Sequence, residues 1–192
     1  QIAPILDSLT NHRKCRITLR TEIPPEICKE FLKIPFQFGP PPPDPNMRMK
    51  GPLDVDIEGL FQDYKSLIYE WDEVVSKDAD ILQNLNADVV LTNISVVSIA
   101  SARAAGMPVA AICSLNWADV FAAYCGTQGD AGNIFSHLTE NYDRATEFIK
   151  LSPHMKMDWL TRSRSVGPVA RQGRDIRSDL QKFKPASYYA IA

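Results

Sequence analysis

The sequence predicts a three-layer α/β domain with a mostly parallel, Rossmann-like sheet. Three observations predict it, all within residues 87–126, ADVVLTNISVVSIASARAAGMPVAAICSLNWADVFAAYCG. Residues 88–94 are a β-branched apolar run too short for an average helix, which suits a buried parallel strand. Residues 96–105 are small and apolar with Arg103 the one charge, which suits a helix packed closely on a sheet. Gly106 can take the left-handed conformation that ends this helix, and Pro108 blocks its continuation. Residues 109–115 then repeat the strand pattern. A βαβ unit of this kind brings its strand-end turns, Asn93-Ile94-Ser95 and Ser114-Leu115-Asn116-Trp117, to one edge of the sheet. That edge is where open α/β sheets bind ligands.

Bulk properties fit this reading. A chain of 192 residues accommodates one α/β domain with a core large enough to stand alone. A net charge of −2 supplies no field for nucleic acid or an anionic membrane. No apolar run approaches the roughly 20 residues that span a bilayer, and the start lacks a basic-then-apolar signal pattern. Cys15, Cys28, Cys113 and Cys125 are far apart and form no zinc-type cluster. Two disulfides are open on count alone. Four reduced thiols in a cytoplasmic protein is the preferred reading.

Along the chain, residues 1–12 are expected to be a helix with Ile2, Ile5, Leu6 and Leu9 on one face, and residues 16–21 a strand. A doubly wound domain ordinarily opens on a strand. The first strand and its ligand-facing loop are therefore expected to be missing, and the chain opens on Gln1, not Met. Pro24 and Pro25 sit where a first helical turn tolerates them, ahead of a helix over 26–33. Residues 35–38 read as a short strand. Residues 40–52, PPPPDPNMRMKGP, read as a loop with no regular structure, either a stiff surface segment or a polyproline ligand. Residues 57–85 carry the longest helical pattern, with a break expected near 77–80. A second amphipathic helix is expected over 133–151 and a last strand over 165–170. Residues 1–172 form the predicted domain. Residues 173–192 are expected to be a charged linker helix and an irregular tail toward a missing C-terminal domain.

The six candidate site residues are Asn93, Ser95, Ser114, Asn116, Trp117 and Asp119. Asn116 can cap the following helix, and Asp119, three residues on, resembles the second half of a capping box. The same helix start and Ser114 can instead face a polyhydroxylated or anionic ligand. Trp117 can stack on a sugar ring or anchor the core. Ser95 reads as a further N-cap, whereas Asn93 has no evident structural duty. His12, His137 and His154 have no spacing that suggests a metal site or a triad; His137 is expected to face solvent. The acid pairs Asp54/Asp56 and Asp78/Asp80 read as helix caps or solvated groups, not metal ligands, and no Gly-rich phosphate loop is present.

The run from Ala87 to Tyr124 resembles the fourth and fifth strand units of a glycosyltransferase-like family of the GT-B architecture. It is most similar to uncharacterised bacterial members and to the N-terminal half of plant L-arabinokinase. QIAPILDSL resembles that family's first helix, PLDVDIEGLFQDY its loop into the long helix, and residues 142–171 (EFIKL, MKMDWL, SVGPVAR) its crossover toward a second domain. The resemblance implies the acceptor-binding half of an enzyme that moves a sugar from a nucleotide-sugar donor. It implies no bound cofactor; the nucleotide sugar is a co-substrate held by a missing C-terminal domain. The acceptor is a sugar or glycosylated small molecule. Relatives place an acid where Asn93 stands. The chain alone is expected to be inactive. The alternatives are a non-catalytic sugar-sensing module or a protein-interaction module, with homodimerisation among its outcomes.

Overall fold

The computed structural model describes residues 2–171, 173 and 175. Helix α1 (Ile2–His12) leads to strand β1 (Thr18–Arg20), helix α2 (Pro25–Phe31) and strand β2 (Gln37–Gly39). Strands β3 (Met49–Gly51) and β4 (Asp54–Val55) form a hairpin, followed by α3 (Ile57–Tyr69) and α4 (Trp71–Asn84). The second half alternates: β5 (Val90–Thr92), α5 (Val96–Ala104), β6 (Val109–Cys113), α6 (Trp117–Cys125), α7 (Gly129–Tyr142), β7 (Glu147–Leu151), β8 (Arg164–Val166).

Strands β5-β6-β7-β8 make one sheet, parallel throughout and in sequence order. Strands β1 and β2 pair in parallel as a separate two-stranded sheet. The chain is thus a mixed α/β fold with a mostly parallel sheet, compatible with a Rossmann-like arrangement. The βαβ core forms as its sequence predicts. Helix α5 is buried on seven of its nine residues. A helix apolar almost all round can only sit between other layers. Gly106 follows it at φ 74°, a conformation that costs glycine little. The apolar core gathers Leu60, Tyr64 and Leu67 of α3, Ile99 of α5, Phe121 of α6, Leu138 and Tyr142 of α7, and Phe148 of β7.

Four expectations are corrected. The loop expected over 40–52 ends earlier, because Met49–Gly51 pairs with Asp54–Val55 once the proline run has passed and backbone N–H groups are again free to pair. The long helix breaks at Glu70, not at 77–80: Glu70 leaves helical geometry at φ −97°, ψ 11°. The break sets the Trp71 ring edge-on to His137, 4.5 Å between centroids. His137 is therefore packed against an indole, not turned to solvent, and burial holds its pKa below the usual value. The helix expected over 133–151 stops at Tyr142. Thr146 N–H bonds to Val109 O of the neighbouring strand, and Glu147–Leu151 lies between β6 and β8. Ala145 and Ile149 match helical spacing, but Phe148 and Leu151 are buried by the sheet. Apart from Gly173 and Asp175, the linker and tail expected over 173–192 lie outside the described residues.

Candidate functional site

The strand-end turns do face one cleft. Its volume is about 390 Å³, and its walls come from three places. Arg20 ends β1 and Thr21, Glu22 and Ile23 follow it; Pro41, Pro42, Asp44, Pro45 and Asn46 belong to the proline loop; Ser95 and Trp117 begin α5 and α6. The cleft therefore joins the ends of β1 and of the four-stranded sheet.

The start of α5 carries no acid of its own. Ser95 caps it, its Oγ accepting from Ser98 N–H at 2.8 Å. The missing acid arrives from the proline loop. Asp44 Oδ1 accepts from Val96 N–H at 2.8 Å and Val97 N–H at 3.2 Å, and Oδ2 accepts from Ser95 O–H. A carboxylate at the positive end of a helix satisfies N–H groups that otherwise lack partners. The residue keeps some surface in solvent, but its carboxyl is buried, and that burial outweighs these bonds and lifts its pKa to about 6. Neighbouring Asp78 pushes in the same direction.

Two further bonds hold the loop. Arg20 Nε donates to Pro40 O at 2.7 Å, and Asn46 Nδ2 donates to Glu22 Oε2 at 2.8 Å. Arg20 also forks onto buried Asp78 of α4, which takes its remaining charge. The turn entering α5 is strained: Ile94 is β-branched at φ 83°, a conformation costing on the order of 1–3 kcal/mol. Its carbonyl accepts from the Tyr142 hydroxyl at 2.6 Å.

The start of α6 is self-contained. Asn116 is fully buried, accepts from Asp119 N–H at 2.8 Å and donates to Asp119 Oδ2 at 2.7 Å. Asp119 Oδ1 accepts from Trp159 Nε1 at 3.0 Å. The capping arrangement weighed for this pair is thus the one that forms, and neither side chain lines the cleft. Burial pushes the nearby Cys113 thiol up to about 12, which keeps it protonated.

Of the six predicted residues, the structure brings Ser95 and Trp117 into the cleft. Asn93 is exposed and Ser114 half-buried; neither lines it. Ser114 O accepts from Met155 N–H at 2.8 Å. Sequence reasoning missed Asp44, Arg20, Glu22 and Asn46. No local signal pointed to Asp44, whose partner at the start of α5 lies 52 residues on. The four cysteines are free thiols. Among the described residues no group of three or more His, Cys, Asp or Glu is placed to hold a metal ion, and no helix is long and apolar enough to cross a membrane.

Comparison with protein-family models, curated proteins and solved structures returned no match.

Proposed function

We propose that this chain is the acceptor-side domain of a GT-B-type glycosyltransferase and holds a sugar or glycosylated small molecule in the strand-end cleft. The observation that carries the reading is the cleft itself. It combines an indole, Trp117, with the carboxylates Asp44 and Glu22, the amide Asn46 and the hydroxyl Ser95 around about 390 Å³. That volume falls in the range of small-molecule sites. A flat aromatic face with convergent acceptors matches a polyol, which presents C–H faces and many O–H donors.

In this reading Trp117 stacks on the ring, Glu22 and Asn46 accept or donate hydroxyl hydrogen bonds, and Asp44 holds Ser95 and the start of α5 in place. Bond chemistry requires a cationic clamp on the departing nucleotide. Arg20, the one cation lining the cleft among the described residues, is already committed to Asp78. The nucleotide sugar accordingly belongs to a second domain, and turnover of a nucleotide sugar by the 192-residue chain alone would overturn that part.

Calorimetric titration of a monosaccharide and glycoside panel, repeated on Trp117→Ala, tests the reading. Saturable sugar binding lost in the variant supports it; absence of binding across the panel sinks it. The interaction-module alternative rests on Ile23, Ile27, Phe31 and Phe38, all more than 40 % exposed around α2 and β2. Light scattering that finds a dimer dispersed by Phe31→Ser, without sugar binding, would favour it.

A further inference from the structure

A second cleft lies at the opposite edge of the four-stranded sheet. Its volume is about 420 Å³, and Arg103, Arg144 and Arg162 line it together with Asp143, Thr146 and Thr161. The three arginines come from three separate places: the last turn of α5, the turn between α7 and β7, and the loop entering β8. All three are exposed.

Among the described residues one acid lines the cleft, and it binds the neighbouring loop. Asp143 Oδ1 accepts from Thr161 N–H and Oδ2 from Thr161 O–H, each at 2.7 Å. These bonds pin the loop before β8 to the end of α7, which holds Arg162 beside Arg144. Thr146 is fixed too, its Oγ1 accepting from Val109 N–H at 3.0 Å. The arginines, by contrast, are hardly used. Arg144 Nη1 donates to Asn141 Oδ1 at 3.1 Å. The side chains of Arg103 and Arg162 make no hydrogen bond or ion pair among the described residues. Elsewhere four arginines are paired, Arg20 with Asp78, Arg48 with Asp63, Arg164 with Glu147 and Arg171 with Asp7, while Arg13 and Arg16, like Arg103 and Arg162, have no side-chain partner among the described residues; what sets this cleft apart is that three guanidinia converge on it.

Arg103 near the end of α5 also suits the helix dipole. That duty leaves its donors free, since no carbonyl of α5 takes a bond from it. Three guanidinia beside the single carboxylate of Asp143 leave the cleft with a net positive charge. An anion with several oxygens offsets that charge and takes bidentate bonds from each.

We propose that this cleft binds a phosphorylated small molecule, its phosphate oxygens held by Arg103, Arg144 and Arg162. The site is independent of the sugar cleft, which lies at the other ends of the strands.

Pyrophosphate, titrated calorimetrically at low ionic strength into the full chain, is the probe. The expected result is one saturable site that weakens as salt rises. Arg103→Gln and Arg162→Gln should each weaken it about tenfold, the loss of roughly one charge-assisted contact. Arg13→Gln, an exposed arginine on α1's flank, should leave it unchanged. Because the substituted side chains are exposed, thermal midpoints should match wild type and exclude misfolding as the cause. Absence of saturable binding overturns the proposal. So does binding indifferent to Arg103→Gln and Arg162→Gln, or equally weakened by Arg13→Gln, which would mark a diffuse field instead of a site.

Discussion

The two halves of this molecule are held by different forces. Around β5–β8, side chains such as Val97, Ile99, Ala102, Val109 and Leu138 are wholly withdrawn from water. Around β1 and β2 no strand residue is buried, and Ile23, Phe31 and Phe38 stay open to solvent. That half is fastened by polar pins instead: Arg20 on Asp78, Asp44 on the start of α5, Asn46 on Glu22. Apolar packing is non-directional and tolerates pH and salt, whereas a buried charge is stable only while its partner is present. The strand-end cleft lies where the pinned half meets the packed half.

The largest expected effect probes the packed half. Phe121 lies against Phe61 and Tyr64, with ring centroids 6.4 and 5.2 Å away. Phe121→Ala should cost about 4 kcal/mol in denaturant unfolding through the cavity it leaves. A loss below about 1 kcal/mol would show that this core is not the main store of stability.

Arg20→Met probes the pins. It strands Asp78, 2 % exposed, and should cost about 3 kcal/mol, with Arg20→Met/Asp78→Leu recovering most of it. Amide exchange should then accelerate in β1 and β2 while β6 stays protected. Uniform acceleration would merge the two halves into one cooperative unit.

The Asp44 pin predicts a pH dependence. Its folded pKa, about 6, lies above the ordinary 3.8. The folded state therefore favours the protonated form, and the group's contribution is fully present below pH 3.8 and lost as pH rises through 6. The span is about 3 kcal/mol. Asp56 and Asp130 are shifted downward and act in the opposite sense, so the readout is the difference from Asp44→Asn. That variant should match wild type near pH 3.5 and be the more stable of the two at pH 8. A pH-independent difference would refute the assignment.

Asn116→Ala removes the cap of α6 and leaves Asp119 without one donor. About 2 kcal/mol is expected by thermal unfolding. Leu53, 96 % exposed in the hairpin turn, marks the lower limit: Leu53→Ser should change stability by less than about 0.5 kcal/mol.

The packed half was the legible one. The β-branched run at 88–94, the small apolar helix and the Gly106-x-Pro108 stop each obey a local rule, and they form one continuous βαβ unit. The caps Ser95 and Asn116 were legible for the same reason, since their partners lie three residues away. The pinned half was not. Arg20 and Asp78 are 58 residues apart, and Asp44 reaches a helix start 52 residues on. No local pattern encodes such a pair. The misreading of 133–151 has a related cause: EFIKL fits a helical stripe in isolation, and only its place between β6 and β8 selects the strand.

By itself, then, the sequence determined the parallel-sheet core, its helix caps and the strand-end turns of that core. These depend on residue spacing, propensity and backbone sterics over a few positions. Tertiary structure alone decided which groups line the cleft at those turns. It spent Asn116 and Asp119 on each other, brought Asp44, Glu22 and Asn46 in from the first half, and gathered three arginines at the far edge. Those outcomes depend on where distant segments meet, and charge burial depends on that meeting far more than on neighbours in the chain.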